Sequence, residues 1–354
     1  MSNTEIHFLN VGHGDCTIIR HPSGRITMVD INNGSELDPS TKEEFAAGNV
    51  LTEREAFFRD LFTPKTPSTG FAGLLESLER FGPRAADLTN PIEYFHKYFP
   101  GERIFRFILT HPDMDHIRGL AALVESGVAI DNFWDTENEI EKSSFSRAGD
   151  EKDWSTYQSI RSGNAGVTVH RPVRLKTGKY WNQDDAGGVG DGMNILAPTA
   201  ELTAEANLRG DPNAHSIVLH LNAHGTPVFF GGDATQNILD DILVNFGESL
   251  RAGIYKAAHH GRDSGYHLGI LNAIQPEHTI VSVGKKPETD AQSKYAQQCA
   301  KWNGKVLSTR FNGDIVVKIT ETAIYTVNGE PSRLSPKAIP AFDSDAWLRN
   351  FFNH

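Results

Sequence analysis

The stretch that most constrains the fold is residues 110–116, Thr-His-Pro-Asp-Met-Asp-His, which follows an apolar run at residues 104–109. The apolar run predicts a buried strand, so the polar side chains emerge directly from a strand end. Two imidazoles and two carboxylates lie within six consecutive residues: His111, Asp113, Asp115 and His116. The free-energy cost of removing water from such groups is offset only when they are paired or bind a cation. Aspartate also caps helices, but capping does not require flanking histidines, so the stretch favours a divalent-metal hydrolase.

The composition is that of an ordinary globular protein. The chain has 354 residues, of which 38% are hydrophobic and 22% charged, enough for one large α/β domain or two smaller ones. It contains no apolar run of about 18 residues that would predict a transmembrane helix. The polar N-terminus does not resemble a signal peptide. Two cysteines, Cys16 and Cys299, make no disulfide framework, so a cytoplasmic location is expected.

The net charge limits the partners that we expect. A formal charge of −11 argues against sequence-independent binding to long nucleic acid, which requires a basic face. A bound pair of divalent metals would add about four positive charges at the site itself. The acidic surface therefore favours short or single-stranded nucleic acid, or a nucleotide, over long duplexes. No membrane partner is expected.

The periodicity predicts many short strands with helices between them. Strands are expected at residues 5–11, 16–20, 26–30, 104–109, 133–135, 167–173, 194–197, 216–221, 226–230, 253–258, 279–283, 306–309, 314–320 and 323–327. Helices are expected at residues 71–81, 91–98, 117–126, 154–162, 235–246 and 291–302. This order predicts a sheet sandwich with outer helices. Residues 35–100 and 136–190 are predicted insertions that shape the pocket.

Polar residues follow several of these strands. They are Asp30, the group of residues 111–116, Asn213 with His215, Asp233, and His259 with His260. Because loops at one end of neighbouring strands converge on one crevice, residues that are distant in sequence are expected to meet there.

These motifs together resemble the metallo-β-lactamase fold and, within it, the hydrolase domain of the ComEC-type competence DNA-uptake proteins. The matching blocks are residues 10–15, 29–30, 109–117, 213–219, 231–233 and 259–261, which occur in the family's order. No membrane channel is present, so the resemblance covers the hydrolase domain only. It implies an α/β protein, a four-layer αββα sandwich with helical insertions. The hydrolase domain would span residues 1–330, and a C-terminal tail with a short helix, residues 331–354, could meet a protein partner.

The resemblance also implies two divalent metal ions, zinc or manganese. His111 and Asp113, helped by His215, would hold the first metal. Asp113 stands where the family usually has a second histidine, and its hard oxygen could shift preference away from zinc toward manganese or magnesium. Asp115, His116 and His259 would hold the second metal, and Asp233 would bridge the two. His259 and His260 are alternatives for this role, and the third ligand of the first metal stays open between Asn213, His215 and neither.

The implied chemistry is attack by a metal-bound hydroxide on a phosphorus or carbonyl centre. Asp115 would orient the nucleophile, and His260 would protonate the leaving group or contact phosphate. The residues expected to orient ligating imidazoles are Asp15, Asp30 and Asn213. Candidates for substrate contact are Lys285, Lys286, Ser264 and Tyr266, although the two lysines also fit a solvated loop.

Three functions follow from these features. The leading prediction is a metal-dependent phosphodiesterase or nuclease. The second prediction is a carboxyl-ester, lactone or phosphorylcholine-type ester hydrolase. The same metal-bound hydroxide could attack either a phosphorus or a carbonyl centre, and the fold does not determine which. The third is a catalytically silent metal-binding interaction module.

Overall fold

The computed structural model describes residues 3–33, 88–283, 292–322 and 325–331. Its strands are β1 (Thr4–Phe8), β2 (Thr17–Arg20), β3 (Ile26–Val29), β4 (Ile104–Ile108), β5 (Ile130–Trp134), β6 (Thr168–His170), β7 (Met193–Ala197), β8 (Val218–Ala223), β9 (Thr226–Phe230), β10 (Ile254–Lys256), β11 (His278–Val281), β12 (Lys305–Ser308), β13 (Ile315–Ile319), β14 (Tyr325–Val327) and β15 (Glu330–Pro331). Its α-helices are α1 (Pro91–Tyr98), α2 (Met114–Ile117), α3 (Leu120–Glu125), α4 (Asp150–Arg161), α5 (Ala200–Arg209), α6 (Gln236–Phe246), α7 (Leu268–Ile274), α8 (Gln292–Cys299) and α9 (Thr309–Asn312).

The described strands form two sheets. The first has the order β15-β14-β13-β1-β2-β3-β4-β5-β6, and the second has the order β12-β11-β10-β9-β8-β7. Strands β3 to β6 run parallel to one another, as do β9 to β12. Since β1 and β3 are both antiparallel to β2, the loop after β1 lies at the same edge as the carboxyl ends of β3 and β4.

Three apolar clusters separate four layers of secondary structure. The middle cluster fills the space between the sheets, where Phe8 of β1 packs with Phe230 of β9. A second cluster joins the outer face of the first sheet to α1, α3 and α4. A third joins the outer face of the second sheet to α6, α7 and α8. The order helices, sheet, sheet, helices confirms the αββα sandwich that the sequence predicts.

Local sequence explains where several helices begin. Asn90 accepts hydrogen bonds from the backbone N–H groups of Ile92 and Glu93, and Pro91 fits the first helical position, so α1 begins as predicted. The predicted helix 154–162 begins four residues earlier, at Asp150. Helices α5 and α7 were not predicted. Leu208 is 90% exposed on α5, so this helix lacks the clean apolar stripe that sequence patterns detect.

The predicted single helix at residues 117–126 is wrong, because Gly119 interrupts it. Gly119 has φ +96° and separates α2 from α3. A Cβ atom at this position would lie 2.7 Å from Asn33 Cβ. The Asp153 carboxylate then accepts hydrogen bonds from the N–H groups of Gly119 and Ala121, at 3.0 and 2.9 Å, and caps α3 from a neighbouring helix. The break turns α2 into a short support for the polar stretch.

Some predictions fall outside the described residues. These are the helix at residues 71–81, most of the insertion at residues 35–100, and the tail beyond residue 331. Within the predicted insertion at residues 136–190, β6 joins the edge of the first sheet. The domain boundaries stay predictions. None of the described helices has the length and apolarity that crossing a bilayer requires.

Candidate metal centre

The candidate site lies where the loops after β1, β3, β4, β9 and β10 meet. Asp30 follows β3 with φ +57°, a left-handed conformation that aspartate tolerates better than most residues. His259 and His260 follow β10 with φ +48° and +54°. Left-handed backbone at residues other than glycine costs about 1 kcal/mol or more and concentrates at functional sites. The two sheets thus deliver their polar loops to one edge.

Asp233, in the turn after β9, is the centre of the cluster. Its Oδ2 lies 3.3 Å from His260 Nε2 and 3.4 Å from His116 Nε2. The Nε2 atoms of His259 and His111 lie 3.8 and 3.9 Å from the same oxygen. Four imidazole nitrogens therefore surround one carboxylate oxygen, although they come from two different sheets.

Several atoms at this point are buried and form no hydrogen bond. They are the Nε2 atoms of His111 and His116, both ring nitrogens of His260, and Asp233 Oδ1. A buried polar atom without a partner costs about 1–3 kcal/mol, so an accumulation at one point requires a reason. One nitrogen or oxygen from each of Asp15, His116, Asp233 and His260 lies within 4.8 Å of the others. These donor types fit a divalent transition metal.

Hydrogen bonds on the far side of the rings fix how they face the cluster. His116 Nδ1 lies 2.9 Å from Asp30 Oδ2. The same carboxylate accepts bonds from Thr110 N and Thr110 Oγ1, each at 2.7 Å. His259 Nδ1 lies 2.8 Å from Ser264 Oγ. This arrangement leaves Nε2 of each ring for a metal, which is how ligating histidines are usually held.

Charges within the cluster shift its pKa values. Burial would lower the pKa of His260, but the carboxylates of Asp233 and Asp15 outweigh burial and raise it to about 10. Burial also opposes protonation of His116, yet Asp233 and Asp30 raise its pKa well above the ordinary value. Burial tends to raise the pKa of Asp233, but His260 and His116 hold it well below the usual range. Because a metal takes the place of these ring protons, metal binding must release them.

The two other predicted ligands of the first metal, Asp113 and His215, have different surroundings. Asp113 Oδ1 accepts hydrogen bonds from Met114 N at 2.8 Å and from Lys142 Nζ at 2.9 Å, so it caps α2 and forms an ion pair. His215 is fully buried and neither ring nitrogen has a hydrogen-bond partner. Burial and the nearby His111 lower the pKa of His215 to about 4. Among the described residues, no hydrogen bond joins the Asn213 side chain to the cluster.

The geometry distinguishes the two consecutive histidines. His260 is 1% exposed, and its Nε2 lies 3.2 Å from Asp115 Oδ2 as well as 3.3 Å from Asp233 Oδ2. The His259 side chain is 14% exposed and has the longer distance to Asp233. Of the two alternatives that the sequence offers, His260 is therefore the more buried and the closer to the carboxylates.

Two residues of the site were not predicted. Lys256, at the end of β10, is buried and its Nζ lies 2.9 Å from the Asp15 carboxylate. Asp15 Oδ2 in turn lies 3.6 Å from His260 Nδ1. His13 Nε2 lies 3.6 Å from Asp115 Oδ2, and burial followed by the charge of His260 lowers the pKa of His13 to about 4. Two features of the sequence could have indicated these residues. Lys256 is the only charged residue in the apolar strand β10, and His13 lies in the loop of residues 12–15.

The predicted substrate contacts are placed only in part. Ser264 holds His259, so its hydroxyl orients an imidazole of the site. The Tyr266 ring packs edge-on against Tyr295, with ring centres 4.9 Å apart. Lys285 and Lys286 lie outside the described residues.

Comparison with known proteins finds similarity only among solved structures. No family model and no curated protein matches the sequence. Igni18, a metallo hydrolase from the archaeon Ignicoccus hospitalis KIN4/I, is 12% identical over 88% of this chain and 98% of its own, with a TM-score of 0.43. CmlA, a diiron beta-hydroxylase from Streptomyces venezuelae, is 12% identical over 90% of this chain and 55% of its own, with a TM-score of 0.43. Zn²⁺-bound PqqB from Methylobacterium extorquens is 10% identical over 87% of this chain and 99% of its own, with a TM-score of 0.36.

These similarities concern architecture. This chain spans about half the length of the CmlA chains that it matches. With TM-scores below 0.5, the matches carry no argument about activity. The chemistry of this site must therefore be inferred from its own residues.

Proposed function

We propose that this protein is a metal-dependent hydrolase, and specifically a phosphodiesterase or nuclease of the ComEC-like type. The observation that carries the proposal is the Asp233 carboxylate, whose Oδ2 faces the Nε2 atoms of four histidines. Because the facing atoms of three of these rings lack hydrogen bonds, the donor set fits metal better than it fits a polar network.

The residues that would hold a metal pair are Asp233 with His111, His116, Asp115 and His260. Two bound divalent ions would lower the pKa of a water molecule and neutralise charge that develops on the substrate. Asp30 and Thr110 keep His116 in the required tautomer, and Ser264 orients His259. We assign His259, the more exposed of the two consecutive histidines, to the leaving-group side of the site.

An unpaired arginine supports an anionic substrate. Arg262 follows His260 by two residues, and its Nε is buried without a hydrogen bond. Its charge contributes to lowering the pKa values of His13 and His259, after larger effects of burial and of His260. Among the described carboxylates, none forms an ion pair with it. A guanidinium that pairs with no described carboxylate favours a phosphodiester over a neutral ester, because Arg matches phosphate geometry.

The proposal is tested by metal content and hydrolysis together. We expect the purified protein, reconstituted with zinc or manganese, to bind about two metals and cleave bis-nitrophenyl phosphate and labelled single-stranded DNA. Asp233→Asn should lose bound metal and at least about a hundredfold in activity. Asp263→Asn is the control, since Asp263 pairs with Lys294 on the surface. Absence of metal after reconstitution would refute the metal centre.

The substrate class is tested with Arg262→Gln. Loss of one charged contact to phosphate should raise KM for bis-nitrophenyl phosphate about tenfold, on the usual strength of charge-assisted hydrogen bonds. Turnover of a neutral nitrophenyl ester should not change. Arg147→Gln, at an exposed position, serves as the matched control. Efficient ester turnover without phosphodiester cleavage would favour the ester hydrolase instead.

A further inference from the structure

The loop between β1 and β2 brings an additional imidazole to the metal centre. His13 Nε2 lies 3.6 Å from Asp115 Oδ2, and the ring centre of His13 lies 4.9 Å from that of His260. One donor atom from each of His13, Asp115 and His260 lies within 4.8 Å of the others. His13 has no part in the site that the family resemblance implies.

This loop is built against the polar stretch rather than loosely attached to it. Gly14 has φ +144°, and a Cβ at that position would lie 2.5 Å from the Asp115 carbonyl oxygen. Asp15 N donates a hydrogen bond to the same oxygen at 3.2 Å. The Asn32 side chain donates to the His13 carbonyl at 2.9 Å. The backbone on both sides of His13 is therefore fixed relative to Asp115.

The donor atoms have the separations of ligands on one metal. Zinc with bonds of 2.0–2.1 Å has tetrahedral edges of about 3.3–3.4 Å. The His260 Nε2 to Asp115 Oδ2 distance is 3.2 Å and the His13 Nε2 to Asp115 Oδ2 distance is 3.6 Å. In addition, His13 Nδ1 and both ring nitrogens of His260 are buried without hydrogen-bond partners. A simple polar loop would satisfy these atoms with protein or solvent.

We propose that His13 is a metal ligand, which together with Asp115 and His260 holds one of the two ions. The other ion would then lie on the Asp233 side of the cluster, where the His116 Nε2 atom is 3.4 Å from Asp233 Oδ2. This inference rests on the proposed metal-dependent function and deepens it. The position at His13 would have two imidazoles and one carboxylate, a set that suits zinc better than magnesium.

Cobalt spectroscopy tests this assignment without relying on activity. We expect the metal-free protein to bind about two Co²⁺ ions, and His13→Gln to bind one of them at least about tenfold more weakly, with a weaker visible absorption. In His13→Cys, a thiolate ligand should produce a sulfur-to-cobalt charge-transfer band that the unaltered protein lacks. His170→Gln is the control, because the His170 ring bonds Asn132 in the sheet.

The possible results distinguish failure of the His13 assignment from failure of the proposed metal-dependent function. Two tight Co²⁺ ions in His13→Gln, with no new band in His13→Cys, would overturn the role of His13 and leave the hydrolase intact. No Co²⁺ binding by the unaltered protein would instead overturn the metal centre itself. If His13→Gln fails to fold, as judged by circular dichroism, the band in His13→Cys decides the question.

Discussion

At the scale of single residues, Asp30 controls how His116 faces the cluster. Its Oδ2 lies 2.9 Å from His116 Nδ1 and accepts the Thr110 hydroxyl at 2.7 Å. Such a carboxylate fixes the tautomer of a ligating histidine and strengthens it as a donor. The left-handed backbone of Asp30 keeps the carboxylate under the ring. We therefore expect Asp30 to contribute to metal affinity without contacting the metal.

Asp30→Asn should therefore weaken metal binding by about 10- to 100-fold. Asparagine tolerates the same backbone and keeps one acceptor, so the fold should survive. Metal affinity is measured by competition with a chelator dye. Asp191→Asn provides the control, because Asp191 is a buried carboxylate that pairs with Arg106 and Arg25 instead of a site histidine. Equal metal affinity in both variants and the unaltered protein would contradict the role of Asp30.

The residue scale also shows what a sequence can and cannot reveal about the site. The convergence of His111, Asp115, His116 and Asp233 could be predicted because polar side chains at strand ends form compact sequence motifs. The pairing of Lys256 with Asp15 was not, since it depends on two segments 241 positions apart. Which of the two consecutive histidines faces the carboxylates depends on the left-handed backbone of His259 and His260. No sequence pattern predicts that conformation.

At the scale of elements, the short helix α2 and Lys142 both bind the Asp113 carboxylate. The carboxylate accepts the Met114 N–H and the Lys142 ammonium, while its side chain is 35% exposed. A metal at this position would have to displace Lys142. Lys142 comes from the predicted insertion at residues 136–190, so this segment reaches the candidate ligand loop.

Removing the competing ammonium should strengthen metal binding if Asp113 is a ligand. A partly exposed ion pair is worth about 0.2–1 kcal/mol, so Lys142→Met should raise affinity for the weaker metal by a factor between about 1.4 and 5. Isothermal calorimetry measures this change. Lys152→Met, which removes an exposed pair with Glu125, is the control. Unchanged affinity in Lys142→Met would remove Asp113 from the ligand set, in agreement with the role proposed for His13.

The strands were easier to predict than the helices for a physical reason. Strand β4 is almost wholly buried and follows directly from its apolar sequence. The break between α2 and α3, in contrast, depends on Asn33 packing against Gly119 from a distant part of the chain. Capping by Asp153 of α4 is also a tertiary contact. Sequence periodicity shows which strands are buried, but it does not show contacts between distant segments.

At the scale of the whole molecule, the site forms where the parallel strands of the two sheets end. The ends of β3 and β4 come from one sheet, and those of β9 and β10 come from the other. The middle apolar cluster holds the two sheets together, so the polar cluster forms only when the sandwich has assembled. The same burial keeps several imidazoles neutral inside the protein, which makes stability depend on pH.

His21 shows this dependence away from the metal centre. It is buried, its Nε2 lies 2.8 Å from Thr27 Oγ1, and burial, followed by smaller effects that include the Arg106 charge, lowers its pKa to about 3. The unfolded chain takes up this proton below its ordinary pKa of about 6.5, whereas the folded protein does not until about pH 3. The free energy of unfolding must therefore fall as pH decreases through this window.

We expect the chelator-treated protein to lose stability from pH 6.5 towards pH 4. His21→Gln should reduce the slope by up to about 1.4 kcal/mol per pH unit, the value for one proton, while lowering stability at neutral pH. Urea unfolding at a series of pH values measures the slope, and His96→Gln, at an exposed position of α1, is the control. An identical slope in both variants would show that His21 is protonated in the folded state, because only a neutral buried ring produces the difference.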